Sequence, residues 1–397
     1  MSNNLYQASS QWASRPADQR FWTIDEAYQF CKGYADVAEE KTIDFGKAEL
    51  VESGSNIALS LGDGSAPVTM THWSFGQLAR MAGAPAEYLR KLPVSLASKC
   101  LENGLDHHFA GRDDFEKAGL VHGGDVPVLR ALTSDKYTRF WNHQVFERLG
   151  ALQSNGWKVP PARPSSMTAG NMRLATEEDC LDVRMAGLGI QPGDPIAPAG
   201  IYASDHDMFC FMVNEDYRIN DGSDGGLSRG FFVSNSEVGA SALKMTLFYY
   251  RHVCGNHIVW GAENVLDVAV RHIGDVEGRF TVEIEGSVGK YLKESAAADE
   301  QRIKKAKEII LGTNSADILD GIFKLTNRKR RHGLPEALNL QIVQTAIEEA
   351  EANPEDGNPF SLWGFANGLT RVSQVFGFAD RRTAIDAAAG QLLALAI

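Results

Sequence analysis

Reactive side chains concentrate between Gly230 and Gly261, beside two apolar stretches typical of β-strands. Histidine and cysteine at this density could hold zinc, with His272 as a fourth ligand from the next strand. Zinc sites usually show two close ligand pairs, and this chain has no CxxC pair, so a set of buried polar residues that satisfy one another is the preferred interpretation. The residues predicted to form this polar core are Asn235, Ser236, Glu237, His252, Cys254, Asn256, His257 and His272.

Two other kinds of chemistry stay open for the same region. A thiolate at Cys254 could act as a nucleophile if a neighbouring histidine or Arg251 stabilised it. Aspartates near residue 205, together with Glu237, offer oxygen ligands for magnesium, although polar turn residues before a strand explain the same letters. The residues available to such a metal-dependent hydrolase or nuclease are Asp205, Asp207, Glu237, His252, His257 and His272.

Several common catalytic motifs are absent from the sequence. The nearest approach to a phosphate-binding loop is GSVGKYL around Lys290, which lacks the GxxxxGK[ST] spacing. No GxGxxG opens a βα unit, and neither HExxH nor GxSxG occurs. These absences argue against an ATPase, a dinucleotide enzyme, a zincin and a standard esterase. We expect no cofactor, and the sequence does not decide whether any reaction is catalysed.

Cations are clustered even though the chain is acidic. The net charge is −12, but the segment from Arg302 to His332 contains nine Lys or Arg and three Asp or Glu, a local charge of +6 that leaves −18 on the rest. Such asymmetry permits a basic face on an acidic body. Phosphate binding requires clustered cations. The residues predicted to bind nucleic acid are Lys244, Arg251, Arg271, Arg328, Lys329, Arg330 and Arg331.

Aromatic side chains next to these cations have two interpretations. Phe248, Tyr249, Tyr250 and Trp260 could stack on the bases of a single strand. Aromatic residues of a strand also fill hydrophobic cores. Core packing is the preferred interpretation for each of the four.

The elements that must position these residues indicate an α+β fold, with a central antiparallel β region flanked by N-terminal short helices and a C-terminal helical segment. We expect three parts packed as one unit: residues 1–157 as an α+β part, 158–286 as the antiparallel β core and 287–397 as the helical part. Alternating apolar residues predict that RFTVEIEG, residues 279–286, is the last strand. Helical spacing predicts one long charged helix from Val288 to Leu311.

The cysteine pattern and hydropathy bear on the compartment. The five cysteines are scattered and odd in number, which favours a reducing environment over a disulfide framework. No apolar run approaches the ~18 residues that a membrane span requires. We therefore expect a cytoplasmic protein without a membrane partner.

Three short motifs carry a resemblance to a known family: Asn235-Ser236-Glu237-x-Gly239, Arg251-x-x-Cys254-x-Asn256 and the pair Arg271-His272. The longer stretches GAPAEYLRKLPVSLASKCLENGL, LRALTSDKYTRFWNHQVF and SLWGFANGLTRVSQ accompany them. Between Thr71 and Ala394 the chain thereby resembles the phage/plasmid-like domain-of-unknown-function family 932, with Asn256-His257 where members commonly have Asn-Gly or Asn-Thr. The resemblance implies a phage, prophage or plasmid setting and supplies no reaction.

These observations favour a nucleic-acid-binding protein of a mobile element. A single-strand annealing or recombination accessory factor, working on single-stranded DNA as a homo-oligomer, fits the absence of nucleotide-hydrolysis motifs, because annealing needs no ATP. The metal-dependent hydrolase or nuclease remains one alternative. A second alternative is a non-enzymatic anti-defence protein whose acidic body binds a host protein partner.

Overall fold

The computed structural model describes residues 17–124, 126–159, 162–164, 167, 170–181, 185, 189–198, 200–222, 226–251, 257–258, 268–293, 295–318, 320–321, 338–375, 385 and 388–393. Helices and antiparallel strands both occur in these ranges, which confirms the predicted α+β class. The strands are β1 (Arg20–Phe21), β2 (Ala38–Asp44), β3 (Glu49–Ser53), β4 (Asn56–Ser60), β5 (Thr69–Met70), β6 (Glu116–His122), β7 (Val128–Thr133), β8 (Trp157–Lys158), β9 (Arg163–Pro164), β10 (Arg173–Leu174), β11 (Pro195–Ala197), β12 (Ile201–Ala203), β13 (Met208–Ile219), β14 (Leu227–Asn235), β15 (Leu243–Arg251), β16 (His257–Ile258) and β17 (Val268–Val270). The helices are α1 (Ile24–Asp36), α2 (His72–Met81), α3 (Ala86–Leu89), α4 (Val94–Phe109), α5 (Asn142–Leu152), α6 (Glu177–Leu181), α7 (Val276–Arg279), α8 (Gly286–Lys293), α9 (Ala296–Glu308), α10 (Leu340–Ala352) and α11 (Leu362–Val375).

The central sheet is organised around three long antiparallel strands, β13, β14 and β15. Every residue of β14 is buried, including the polar residues Ser228, Arg229 and Asn235. One face of the sheet contributes to the main core through residues such as Met212, Phe231 and Met245. The opposite face carries a separate aromatic cluster, formed by Tyr202, Phe209, Phe211, Val213, Phe232 and Phe248.

A second sheet lies in the N-terminal part of the chain, with the strand order β2-β6-β7-β5. The hairpin β3–β4 turns at Gly54, whose φ of 61° is readily adopted by glycine. The short helices α2, α3 and α4 confirm the helices predicted for this region. Residues such as Leu78, Leu101 and Leu129 give this part a hydrophobic core of its own.

The main core gathers helices from both ends of the chain. Helices α1 and α5 pack against each other, and both contribute buried residues to the same core as the central sheet. Helices α9, α10 and α11 pack from the C-terminal side. A buried ion pair between Arg229 of β14 and Asp299 of α9, 3.4 Å apart, anchors the helical part to the sheet. The elements of 1–157 are thus shared between two cores.

The strand predicted at residues 279–286 is wrong. Residues Phe280–Glu285 form a π-helical segment that connects α7 to α8. Phe280 and Ile284 are each 1% exposed, whereas Val282 between them is 74% exposed. An alternating pattern is ambiguous at this length, because Phe280 and Ile284 are also four residues apart and so share one helix face.

The single long helix predicted from Val288 to Leu311 is also wrong. Two helices, α8 and α9, occupy this stretch, and the side chain of Ser295 caps the second by accepting a hydrogen bond from the backbone N–H of Ala297 at 3.2 Å. A serine at an N-cap competes with continued helix, which explains the break.

Among the described helices, none is long and apolar enough to cross a membrane.

Candidate functional site

The turn after β14 contains a buried ion pair that connects the two sheets. Glu237 lies in this turn and Arg130 on β7, and their side chains are 1% and 2% exposed. The Arg130 Nη2 atom is 2.7 Å from Glu237 Oε1, while Arg130 Nε donates to the Asp205 carbonyl at 3.1 Å. The guanidinium also lies over the Tyr34 ring, 5.0 Å from its centroid. A buried charge persists only when paired in this way, so the pair fixes one sheet against the other.

The second oxygen of Glu237 lies at the start of a helix. Its Oε2 atom accepts a hydrogen bond of 3.1 Å from the backbone N–H of Asn142, the first residue of α5. A carboxylate is favoured there, because the free N–H groups and the helix dipole are positive at that end. Asn235 Nδ2 donates to the Phe140 carbonyl at 2.8 Å and to Asn142 Oδ1 at 2.9 Å. The polar junction, as we call Arg130, Asn142, Asn235, Ser236 and Glu237, therefore holds α5 as well.

The rest of the turn after β14 is held by hydrogen bonds to the central sheet region and to helix α2 of the N-terminal part. Ser236 Oγ donates to the His206 carbonyl at 2.7 Å and accepts from the backbone N–H of Ala240 at 2.9 Å. Two side chains of α2, Trp73 and Gln77, donate to the Val238 carbonyl at 3.1 and 3.0 Å. The predicted polar residues Asn235, Ser236 and Glu237 thus act as buried connectors.

The aspartates proposed as magnesium ligands lie in a turn before β13. Asp207 Oδ1 accepts from Ser204 Oγ at 2.7 Å and from the Tyr202 hydroxyl. His206 Nδ1 is 2.9 Å from Asp205 Oδ1 and 3.1 Å from Ser204 Oγ, so both contacts use one ring nitrogen. Such an arrangement does not relay a proton from the serine through the ring to Asp205.

The positions of the possible metal ligands bear on the zinc and magnesium sites considered from the sequence. Within the part of the chain that the structure describes, no group of three or more His, Cys, Asp and Glu side chains could hold a metal ion. Glu237 is occupied by Arg130 and Asn142 rather than directed at Asp205 or Asp207. Among the described residues, Asp205 and Asp207 are therefore explained as polar residues of the turn before β13.

His272 lies at the centre of a set of arginines. Its ring is 5% exposed, stacks on Tyr137 with centroids 4.9 Å apart, and places Nδ1 3.2 Å from the Thr138 carbonyl. The pKa of His272 is lowered to about 4, mainly by burial and in smaller part by the nearby charges of Arg139 and Arg279. The ring is therefore neutral at pH 7, with Nδ1–H donating to Thr138.

Arg271 extends this positive region to the surface. Its side chain is exposed, and its carbonyl accepts a hydrogen bond of 2.7 Å from Arg279 Nη2. Lys244 of β15 pairs with Ala269 of β17, so Arg271 is its diagonal neighbour, about 7–8 Å away between Cα atoms. The sequence-predicted pair Lys244 and Arg271 is thus brought together, and we call Arg139, Lys244, Arg271 and Arg279 the basic edge.

The other predicted cations lie elsewhere or are not described. Arg251 ends β15, where its backbone pairs with Leu227. Seven residues separate it from Lys244, a span of about 23 Å along a strand. His257 is described only as backbone in β16, paired with Tyr250. Outside the described residues lie His252, Cys254, Asn256, Arg328, Lys329, Arg330 and Arg331.

Two aromatic residues of β15 are buried. Phe248 is 1% and Tyr249 0% exposed, which confirms the core interpretation for these two residues. Trp260 lies outside the described residues, as does the side chain of Tyr250.

Sequence reasoning did not single out Arg130, Tyr137, Arg139 or Arg279. A signal was present, since Arg130 stands in the apolar strand sequence VLRALT, where a charge has to find a buried partner. The stretch LRALTSDKYTRFWNHQVF contains three of these residues together with Asn142. Their partners are about a hundred positions away, so no local pattern identifies them.

Comparison with known proteins gives one match. Residues 183–370 match the family described as Domain of unknown function (DUF932), which confirms the predicted resemblance over a shorter range than Thr71 to Ala394. The matched range includes Glu237 and the basic-edge residues Lys244, Arg271 and Arg279, and excludes Arg130, Asn142 and Arg139. No curated protein and no solved structure matches the chain.

Proposed function

We propose that the protein binds nucleic acid, single-stranded DNA in particular, through the basic edge. The observation that carries this proposal is the neighbouring position of Lys244 and the exposed Arg271 at one edge of the central sheet. Arg279 and Arg139 add positive charge behind them, although the Arg139 side chain is buried and paired with Glu40 at 2.7 Å. Polyanion binding depends on several cations within reach of successive phosphates. The acidic remainder of the chain would confine such binding to this edge.

One aromatic ring beside the basic edge, that of Trp141, is a candidate stacking surface. The guanidinium of Arg139 lies between two rings, 5.4 Å from the Tyr137 centroid and 5.6 Å from the Trp141 centroid. Both residues are half-buried, but the Tyr137 ring is already stacked on His272, so Trp141 is the ring available to a base. Binding to single strands combines cations with stacked aromatic rings. This combination favours a single strand over a duplex, whose bases are already stacked.

The cellular role proposed with this binding is strand annealing or a recombination accessory function in a phage or plasmid, by a homo-oligomer and without ATP hydrolysis. The lack of a phosphate-binding loop in the sequence supports it. The run Arg328 to Arg331, outside the described residues, would add further cations.

The test is the salt dependence of single-strand binding. We expect binding of a short single-stranded oligonucleotide at low salt, measured by fluorescence anisotropy. In the double variant Lys244→Gln/Arg271→Gln, the slope of log Kd against log salt concentration should fall by about 1.4, since each lost phosphate contact removes ~0.7 for a single strand. The matched control, Lys91→Gln/Lys99→Gln, removes two exposed lysines of the N-terminal part and should leave the slope unchanged.

Two outcomes would contradict the proposal. One is the absence of binding at low salt. The other is an equal change of slope in both double variants, since that would show that net charge rather than the basic edge determines binding. Annealing of complementary strands by the wild-type protein, measured without ATP, tests the proposed role separately.

A further inference from the structure

A second candidate site lies far along the chain from the basic edge, in the N-terminal part. Strands β4 and β5 are bridged by two hydrogen bonds between Leu59 and Val68, of 2.9 and 2.8 Å. Beyond this bridge, β4 pairs with β3 and β5 pairs with β7. A cavity of about 540 Å³ is lined by the ends of β4 and β5 and by residues of α2, α3 and α4. We call it the Arg90 cavity.

Apolar side chains form one part of the walls of the Arg90 cavity, and polar residues form the other. Ile57 and Leu89 are buried members of the N-terminal core, and Leu92 packs against that core. Ala97 of α4, 3% exposed, contributes a small side chain to the wall. This volume lies within the range of about 300–1,000 Å³ typical of small-molecule sites, which are mostly apolar with a few oriented polar groups.

One cation in the lining is fixed in position. Arg90 Nη2 donates to the His72 carbonyl at 2.9 Å, and the guanidinium carbon lies 5.1 Å from the Phe75 ring centroid. Holding the guanidinium against the ring reduces the entropy that a ligand would otherwise have to remove.

The carboxylate that pairs with Arg90 is exchangeable. Glu87 Oε1 is 3.2 Å from Arg90 Nη1, but its side chain is 80% exposed, whereas that of Arg90 is 25% exposed. Exposed pairs of this kind contribute little to stability. A ligand carboxylate that also buries an apolar chain would therefore compete well for the same guanidinium.

We propose that the Arg90 cavity binds a small amphipathic carboxylate, an aliphatic acid of medium chain length, with the carboxylate on Arg90 and the chain against the apolar wall. The complementary charge of Arg90 selects the anionic head. The apolar side chains of the wall select the chain. This site is independent of nucleic-acid binding, because it shares no residue with the basic edge.

The experiment is isothermal titration calorimetry of the full chain with octanoate, and with 1-octanol as the uncharged probe. Octanoate should bind the wild-type protein. Arg90→Gln should weaken octanoate binding by roughly tenfold or more, since a charge-assisted pair is lost, and should leave octanol binding unchanged. Glu87→Gln, which removes the competing carboxylate, should strengthen octanoate binding by roughly two- to fivefold. Ala97→Leu should weaken binding of both probes by filling the cavity.

Two results of the octanoate titrations would overturn the proposal. Octanoate binding of equal strength in the wild-type protein and in Arg90→Gln would show that Arg90 does not hold the head. The absence of octanoate binding to both the wild-type protein and Glu87→Gln would also overturn it. Circular dichroism of each variant shows that the comparison is made between folded proteins, and Arg90→Gln and Glu87→Gln alter only partly or fully exposed side chains.

Discussion

Replacing Glu237 with glutamine should strongly destabilise the protein, because Arg130 would remain charged in a buried position. The two side chains are 2.7 Å apart and almost fully buried. At that distance, with an effective dielectric constant of about 20, the Coulomb attraction is about 6 kcal/mol. Glutamine keeps an oxygen that can accept from Asn142, and Arg130 keeps the Asp205 carbonyl. We therefore expect a net loss of about 3–5 kcal/mol in the free energy of unfolding.

Urea unfolding, followed by circular dichroism and by tryptophan fluorescence, measures this loss. The matched control is Glu87→Gln, which makes the same chemical change in an exposed pair and should cost less than about 1 kcal/mol. The double variant Arg130→Met/Glu237→Gln should be less destabilised than the sum of its single variants, because it leaves no buried charge without a partner.

A loss for Glu237→Gln no larger than that for Glu87→Gln would refute this reasoning. It would mean that the turn after β14 tolerates an uncompensated guanidinium, and that the polar junction does not hold the two sheets together. Additive effects in the double variant would show that Arg130 and Glu237 act independently.

Two further predictions concern stability. The pKa of His272 is about 4 in the native protein and ~6.5 in the unfolded chain, so the unfolded chain takes up a proton first as the pH falls. The free energy of unfolding should therefore be highest above pH 6.5 and fall by ~3 kcal/mol between about pH 6.5 and pH 4. His272→Gln should lack this part of the pH dependence, and identical pH profiles of stability for the variant and the wild-type protein would contradict the prediction. In Gly368→Ala, the new Cβ on α11 would lie 1.9 Å from the Ala346 carbonyl oxygen of α10. We therefore expect the free energy of unfolding, measured in urea, to fall by ~1–3 kcal/mol or more. Gly289→Ala, where nothing lies within 4 Å, should instead be neutral or stabilising by up to ~1 kcal/mol, and equal effects at the two glycines would argue against this helix contact.

Much of the fold can be predicted from local patterns. The apolar runs of β13, β14 and β15 identify central strands, because a strand buried on both faces has few other sequences available to it. The helical spacing around Leu78, Leu89 and Leu101 identifies α2, α3 and α4 for a similar reason. The errors fall where the pattern fits two structures, as in RFTVEIEG, where the apolar residues satisfy both a period of two and a spacing of four.

The candidate site could be predicted only in part. The motif Asn235-Ser236-Glu237 stands out, since polar residues between two strongly apolar strands need buried partners. The partners themselves do not stand out. Arg130 is 107 positions from Glu237, and Asn142 is 95 positions away. The sequence predicts that Lys244 and Arg251 belong to one binding surface, because they lie on the same strand. They are near opposite ends of that strand, and its length keeps them apart.

The sequence by itself therefore determined the α+β class, the central strands and the residues of the turn after β14 that require partners, because hydrophobic periodicity and burial of polar groups are local properties. Only the tertiary structure decided that Glu237 meets Arg130 and the start of α5, that Lys244 and Arg271 are diagonal neighbours on paired strands, and that Arg139 and Arg279 lie near His272. These contacts depend on strand register and on how two sheets pack. Residues far apart in the chain come into contact through such packing, and the hydrophobic periodicity of the sequence does not predict these contacts.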